Sequence, residues 1–316
     1  ISGILYGSGD NSNGQLGDTN YGKGMWQPTT IVSQAFFQQS IFMFYASYEH
    51  SLVVSNGKLY GLGLNAGGQL GADGSFISVP HRIDSGSLSS KQVVSACSGQ
   101  GYTLVLDSSG SVHALGSNNQ GQLGIPNQGE TIIPVHIGGI LTGIEIVQIS
   151  CGFAHAAVLS RNGTVFTWGD NTDGQIGTGK TGSPQLSPYQ IYMDEILYAQ
   201  SRRVAMVVCG VSHTMALVSD GVIYSWGRGR DGELGLGDDT LRVSTPTQIP
   251  TNSSSSVKIV MISASGQTSY AIDSDGYAFA WGNGKKGQIG NGQLLNQYHP
   301  TQIAIESQEP IAYISG

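Results

Sequence analysis

The chain carries few charged side chains, and basic ones are the scarcer kind. Charged residues make up 11% of the 316 positions, and 14 Lys and Arg stand against 21 Asp and Glu, for a net charge of -7. This balance does not suit a surface that binds nucleic acid. No apolar run is long enough to span a bilayer, and residues 1–20 lack the basic and apolar regions of a signal peptide. We therefore expect neither a nucleic-acid partner nor membrane insertion.

Patterns typical of catalysis are also missing. No H-E-x-x-H motif, paired Cys and His spacing or G-x-S-x-G motif occurs, so we expect no catalytic residues, no metal and no cofactor. Two segments, 227–232 and 282–287, match G-x-G-x-x-G, but neither opens a helix, as dinucleotide binding requires. The odd number of cysteines (Cys97, Cys151 and Cys209) predicts free buried thiols.

Glycine, in contrast, is abundant and recurs in a fixed frame. The chain has 47 Gly, about twice the usual ~7%. Six segments read Gly-x-apolar-(aromatic or His)-x-x-Gly and continue, five residues later, into Gly-(Gln or Glu)-(Leu or Ile)-Gly. The six frames occupy 3–17, 57–71, 110–124, 163–177, 221–235 and 276–290. Their period of 53 to 58 residues identifies a repeat protein.

Each period predicts four short strands. After every frame a Pro precedes an Ile by three positions, at Pro28, Pro80, Pro134, Pro188, Pro246 and Pro300. In the fourth copy we predict a first strand that ends near 149–151, a second through 157–160 and a third through 165–168. The fourth strand should follow Pro188. Gly turns should join the second and third strands, and the Pro strand should lie at the outside. Because no window shows helical periodicity, helices should be scarce.

Four strands in each repeat predict an all-β fold, a β-propeller of four-stranded blades. A linear solenoid is the alternative, but it would need polar end caps, and none is found. The frame's Gln or Glu should bind buried loop backbone, at Gln15, Gln69, Gln122, Gln175, Glu233 and Gln288. Trp168, Trp226 and Trp281 share one repeat position, which predicts packing between neighbouring repeats. His50, His155 and His213 share another, and we interpret them as structural histidines that bind a neighbouring loop.

The segment 165–177, Val-Phe-Thr-Trp-Gly-Asp-Asn-Thr-Asp-Gly-Gln-Ile-Gly, with the upstream Cys-Gly-x-x-His, resembles the repeat of the regulator-of-chromosome-condensation (RCC1-like) family. The resemblance covers the chain in six copies and implies one RCC1-like β-propeller domain over 1–316. Well-known members have seven blades, so a longer parent chain would carry a seventh repeat. Otherwise the terminal blade, formed by 310–316 and 1–17, is incomplete and could accept a strand from another molecule.

Functional residues are expected where the chain departs from the repeat. The longest connection after a Pro-x-x-Ile marker runs from Ile191 to Gly210 and contains Tyr192, Tyr198, Arg202 and Arg203. Aromatic and Arg side chains are frequent binding hot spots, and insertions in propellers project from one face. We therefore predict that these four residues bind a partner. The alternative is a longer linker with a half-buried strand.

The predicted function is a non-enzymatic protein-interaction or structural scaffold propeller, with self-association through the terminal blade as one version. The alternative is a guanine-nucleotide exchange factor for a Ran-like small GTPase, which only the family resemblance implies. The partner would be a protein in either case. The resemblance implies a cytoplasmic or nuclear protein, whereas the low charge suits an extracellular or assembled surface equally well.

Overall fold

A computed structural model describes residues 6–17, 24–30, 41–47, 49–193, 202–238, 240–250, 257–303 and 310–315. Within them the secondary structure is twenty-two strands and two short 3₁₀ turns, Gly86–Leu88 and Gly139–Leu141. The expectation of few helices is confirmed for these residues. Contacts divide the chain into two compact units, Ile1–Ile149 and Ser150–Gly316. The single domain over 1–316 stays a prediction.

The first unit contains sheets A, B and C. Sheet A pairs two strands, β1 (Tyr6–Gly9) and β2 (Met25–Thr30). Sheet B has four, in the order β3 (Ile41–Ala46), β4 (His50–Ser55), β5 (Lys58–Leu64) and β6 (Phe76–Ile83). Sheet C follows the same order with β7 (Val93–Gly99), β8 (Tyr102–Asp107), β9 (Val112–Gly116) and β10 (Thr131–His136).

Three more sheets of four antiparallel strands follow. Sheet D consists of β11 (Ile146–Cys151), β12 (His155–Ser160), β13 (Val165–Gly169) and β14 (Gln185–Ile191). Sheet E consists of β15 (Val204–Cys209), β16 (His213–Val218), β17 (Ile223–Arg228) and β18 (Arg242–Gln248). Sheet F consists of β19 (Ile259–Ser265), β20 (Thr268–Asp273), β21 (Ala278–Gly282) and β22 (Gln297–Gln302).

The turn between the second and third strands uses the predicted glycine chemistry. Between β4 and β5, Asn56 and Gly57 both have positive φ angles, 48° and 69°. A two-residue type I′ turn needs that backbone at both central positions, and its twist matches the flanking strands. The Asn-Gly pair therefore fixes the hairpin locally, before any packing between sheets.

The prediction for the fourth strand is partly wrong. Pro188 lies inside β14 rather than before it, although β14 is the outer strand of its sheet, as expected. The pairing of β13 with β14 shifts register between Thr167 and Gly169, opposite the part of β14 that holds Pro188. Because this irregularity interrupts the ladder on an edge strand, the missing N–H of proline costs no regular hydrogen bond.

The core lies between sheets, on the second strands. Every residue of β12 and of β16 is buried, because these strands are covered on both faces. Between sheets D and E the apolar core includes Ile191, Met193 and Trp226. Between sheets E and F the corresponding core includes Ile249 and Trp281.

The three cysteines are not all free thiols, so that prediction is wrong for two of them. Cys97 and Cys151 are disulfide-bonded, whereas Cys209 is free and buried. Burial raises the pKa of the Cys209 thiol to about 12, so it stays protonated. An odd number of cysteines excludes the pairing of all of them, but it does not exclude a disulfide bond.

Candidate partner-binding grooves

The frame's Gln residues organise the turn after the third strand, as predicted. Gln175 Oε1 accepts the N–H of Asp173 at 2.9 Å, and Gln69 Oε1 accepts the N–H of Gly67 at 2.9 Å. Asn171 Oδ1 accepts the N–H of Ile176 at 3.2 Å. These bonds satisfy buried backbone donors, which would otherwise destabilise the turn.

The same turn carries the link to the next sheet. The carbonyl of Gln175 in sheet D accepts the Thr214 hydroxyl at 2.9 Å and the Trp226 indole N–H at 2.9 Å, both from sheet E. A Cβ at Gly177 would lie 2.9 Å from Trp226 Nε1, so glycine lets the indole approach this closely. The predicted packing of the repeat tryptophans between repeats is confirmed here.

Sheets E and F repeat this link with different residues. The carbonyl of Glu233 accepts the Ser269 hydroxyl at 2.8 Å and the Trp281 indole N–H at 3.1 Å. The Glu233 side chain accepts the N–H of Asp231 at 2.8 Å, as Gln does elsewhere. Burial raises the pKa of the Glu233 carboxyl, and Arg228 Nη1 lies 3.6 Å from it.

The repeat histidines are structural, but their partner is a hydroxyl on the next sheet rather than a loop. His155 Nε2 lies 3.0 Å from Thr214 Oγ1, and His213 Nε2 lies 2.9 Å from Ser269 Oγ. Because each hydroxyl gives its proton to a carbonyl, each imidazole must donate from Nε2. Burial lowers the pKa of His155 to about 4 and that of His213 to about 3, which keeps both neutral at pH 7.

His50, the third member of that set, is also buried, which lowers its pKa to about 4. Its Nε2 has no hydrogen-bond partner within the part of the chain that the structure describes. Across the same residues no group of three His, Cys, Asp or Glu side chains could hold a metal ion. No helix among them is long and apolar enough to cross a membrane.

An open groove runs between sheets D and E along their outer strands. This D/E groove has a volume of about 550 Å³ and is lined by Gly177, Thr178, Tyr189, Tyr192, Tyr224 and 245–248. Tyr192 is 70% exposed and Tyr189 is 38% exposed, whereas Tyr224 is almost fully buried. Tyr192 and Tyr189 thus offer flat apolar faces and hydroxyl groups along one open surface, above the buried Tyr224.

A second groove lies between sheets E and F. This E/F groove has a volume of about 840 Å³, with apolar walls from Ile223, Ile249, Phe279 and Trp281. Asp220 and Lys258 are among the polar residues at its rim. Its walls correspond in part to those of the D/E groove, since Phe279 occupies the repeat position of Tyr224 and Pro300 that of Pro246.

Two of the predicted partner-binding residues border these grooves. Tyr192 lines the D/E groove. Arg202 Nη2 forms an ion pair with Asp220 Oδ2 at 2.6 Å, and Asp220 lines the E/F groove. Arg203 is exposed, and Tyr198 lies outside the described residues. Tyr192 and Arg202 therefore border different grooves, and the role of the four residues in binding stays a prediction.

The other two groove tyrosines were not among the predicted partner-binding residues. Tyr189 follows Pro188 directly, and Tyr224 is the aromatic residue of the fifth frame. Both belong to repeated positions, so a search for departures from the repeat passes over them. An aromatic residue next to the Pro of an outer strand is the signal that could have found Tyr189.

Comparison with known proteins gives the same fold. A family model described as RCC1-like domain matches residues 1–316. The ultraviolet-B receptor UVR8 of Arabidopsis thaliana is 33% identical over 273 residues, covering 86% of this chain and 60% of the receptor. The human E3 ubiquitin-protein ligase HERC2 is 31% identical over 320 residues, covering all of this chain but 6% of HERC2. The chain thus spans less than two thirds of these relatives.

Among solved structures, Prp20p from Saccharomyces cerevisiae superposes with a TM-score of 0.81 at 22% identity, covering 97% of this chain and 74% of that one. That structure was described together with the binding of Prp20p to Gsp1p and histones. At this identity the likeness shows the fold, an all-β propeller of four-stranded sheets, as the repeats predict. The family match over the full length, with the five four-stranded sheets, shows that this chain belongs to the family of RCC1-like domains.

Proposed function

We propose that this RCC1-like domain is a non-enzymatic protein-interaction module that binds a partner protein in the D/E groove. The observation that carries the proposal is the row of tyrosines along that groove, with Tyr192 and Tyr189 exposed above the buried Tyr224. Tyrosine is enriched among the residues that contribute most to protein interfaces. It supplies apolar area and a hydroxyl with little loss of side-chain entropy.

The remaining polar residues of the repeat support this assignment. The carbonyls, hydroxyls and imidazoles between sheets D and E bind one another, so they are already satisfied. The buried histidines are neutral and hold a proton on the nitrogen that faces the next sheet, which suits a structural role rather than acid–base catalysis. A partner protein would therefore bind to side chains outside this network.

A photocrosslinking experiment tests the proposal. The full chain would carry p-benzoylphenylalanine in place of Tyr192, with a matched probe at Ile133, which is 54% exposed on sheet C. Irradiation in an extract of the source cells should give a discrete adduct from position 192 that position 133 does not give. Tyr189→Ala should weaken binding of the purified adduct partner by at least about tenfold. Identical adducts from both positions would contradict the proposal.

Self-association is a finer version of the same proposal. Among the described strands β1 pairs with β2 alone, and a strand with an open edge can accept another strand. Light scattering of the full chain at increasing concentration should then show a mass above the monomer's 33.1 kDa. A monomer at every concentration removes this version and leaves the groove proposal in place.

Nucleotide exchange on a Ran-like small GTPase is the second candidate, and the described binding of Prp20p to Gsp1p favours it. Release of labelled GDP from the GTPase should accelerate when this chain is added. An unchanged release rate would end that candidate. Tyr192→Ala should leave an exchange activity intact unless the GTPase is itself the partner of the D/E groove.

A further inference from the structure

One repeat position changes its chemistry in sheet C. The fourth residue of the frame is histidine there, at His113, and is aromatic in the other five copies, Tyr6, Tyr60, Phe166, Tyr224 and Phe279. His113 lies on β9 with 1% of its side chain exposed. A buried imidazole that replaces a phenyl or phenol ring brings two nitrogens that need partners. The partners of these nitrogens therefore indicate what the histidine does.

The first partner is Asp107, a buried residue at the end of β8. Its Oδ2 lies 3.2 Å from His113 Nε2 and 3.1 Å from Lys91 Nζ. Burial alone would raise the pKa of this carboxyl, but hydrogen bonds from Ser109, Ser111 and His113 hold the pKa well below its ordinary range. The ionised carboxylate can only accept, so His113 donates from Nε2 and keeps a bare lone pair on Nδ1.

The second partner is the hydroxyl of Ser87, which lies at that lone pair. Ser87 Oγ is 2.8 Å from His113 Nδ1, so the hydroxyl donates to the imidazole. Ser87 belongs to the 3₁₀ turn Gly86–Leu88 in the connection from sheet B to sheet C, and it is half-buried. Hydroxyl, imidazole and carboxylate thus form one chain, in the order that removes a proton from a nucleophilic serine.

The local turn does not require this chain. In sheet F, Asp273 occupies the repeat position of Asp107, and its Oδ1 accepts backbone N–H groups two and four residues later, at 3.0 and 2.9 Å. Asp107 Oδ1 accepts the same two groups at 2.9 and 3.0 Å. Sheet F has Phe279 at the histidine position. The turn therefore needs only one carboxylate oxygen, and the bond from the second oxygen to His113 is an addition in sheet C.

The surface beside Ser87 is apolar. Gly86, the preceding residue, packs so closely against Ile133 and the Pro134 carbonyl that a Cβ there would overlap both. Ile133 is 54% exposed. An uncharged apolar group that approaches the hydroxyl can therefore bury part of its surface against this isoleucine.

We propose that Ser87 is a base-activated nucleophile that accepts an apolar acyl group from an activated ester. Ser87 Oγ forms a bond to the ester carbonyl carbon, and the bond from that carbon to the leaving oxygen breaks. The hydroxyl proton passes to His113 Nδ1 and then to the leaving oxygen, so the products are acylated Ser87 and an alcohol. Asp107 stabilises the imidazolium between the two proton transfers. This covalent site lies in the first unit and goes beyond the proposed interaction function.

Acylation of the full chain by p-nitrophenyl butyrate tests the inference. A burst of p-nitrophenol stoichiometric with the protein should be released, and mass spectrometry of the digested protein should find the butyryl group on Ser87. Ser87→Ala should abolish the burst, whereas Ser89→Ala, at an exposed serine of the same connection, should leave it unchanged. A burst that persists in Ser87→Ala, or the absence of a burst from the wild type, would overturn the inference.

Two further variants test the base and the residue that positions it. His113→Phe restores the aromatic residue of the repeat, so the chain should keep its fold while the acylation rate falls about a hundredfold. Asp107→Asn can donate its amide N–H to Nε2 and so favour the tautomer with a proton on Nδ1, which should slow acylation at least as much. Unchanged rates in both variants would overturn the inference. If His113→Phe melts below the wild type, His113→Gln replaces it.

The pH profile of acylation separates a base from a structural hydrogen bond. Burial lowers the pKa of His113, as His136 and Lys91 do, and Asp107 opposes this shift. The imidazole is then neutral above its ordinary value of about 6.5, so the rate should be level from pH 8 to pH 6.5 and fall at lower pH. His113→Phe should lose this profile. A wild-type rate that rises continuously with pH, as for an unassisted hydroxyl, would overturn the inference.

Discussion

The D/E and E/F grooves are built on one frame and differ in lining and volume. In both, a backbone carbonyl accepts an indole N–H and a hydroxyl from the next sheet, and a neutral histidine donates to that hydroxyl. At D/E tyrosines line a groove of about 550 Å³, whereas at E/F Phe279 and Trp281 line a groove of about 840 Å³ together with several carboxylates. The shared frame joins the sheets, and the residues outside it give each groove its own chemistry.

This difference separates two kinds of residue. The polar frame residues are satisfied within and between sheets, so changes there should affect folding. The residues that follow the Pro-x-x-Ile marker include Tyr192, which is exposed between sheets, so changes there should affect binding. A repeat protein can vary its partner through such connections while the sheets keep the same packing.

The tryptophans give the largest expected effects. Trp226→Ala should lower the free energy of unfolding by about 4 kcal/mol, since it removes a fully buried indole and its hydrogen bond. Trp281→Ala should have a similar cost, because that indole is also fully buried and hydrogen-bonded. Urea unfolding of the two variants measures both values. A loss below about 2 kcal/mol for either variant would contradict the shared role of the indoles in joining the sheets.

Removal of the Met193 side chain from the core between sheets D and E should destabilise the fold. Met193→Ala should lower the free energy of unfolding by about 2–3 kcal/mol, and Leu88→Ala is the matched variant in the first unit, with a similar cost. Urea unfolding again provides the measurement. A loss below about 1 kcal/mol for Met193→Ala would show that the side chain does not fill the core.

Acid should weaken both grooves through the feature that they share. Burial lowers the pKa of His155 to about 4 and that of His213 to about 3, whereas an unfolded chain has a value of about 6.5. The unfolded state thus binds more protons below pH 6.5, so the stability present above that pH is lost as the pH falls toward the folded values. We expect the free energy of unfolding to fall by up to about 2 kcal/mol per histidine between pH 7.5 and pH 5.

His213→Gln isolates the E/F contribution to this pH dependence. The amide can still donate to the Ser269 hydroxyl but does not titrate. Urea unfolding across the same pH range should show a shallower slope for the variant, and His155→Gln should do the same at D/E. A slope equal to that of the wild type in either variant would mean that the imidazole it removes is not held neutral by burial.

Much of the fold could be predicted from the sequence, because its determinants are local and repeated. Asn56 and Gly57 dictate their hairpin turn, and Gln175 binds the backbone two residues away. The position of Pro188 within its strand could not be predicted, since it depends on the register shift of β13 against β14. The sequence also gave no reason to separate Cys209 from the two disulfide-bonded cysteines.

The candidate site was predicted less well. Tyr192 departs from the repeat and lines a groove, as its position predicts, but Tyr189 and Tyr224 beside it lie at repeated positions that carry no such signal. Arg202 was expected to face a partner, whereas it is mostly enclosed by its ion pair with Asp220. Composition and spacing do not reveal which face of a strand borders an opening.

The amino-acid order alone determined the period, the strands, the turns and the hydrogen bonds within each turn, because these act over a few residues and are copied six times. Only the tertiary structure decided which side chains fill each core. The filling of a core depends on side chains from two sheets, such as Met193 and Trp226, that lie far apart in sequence and meet only after the sheets pack.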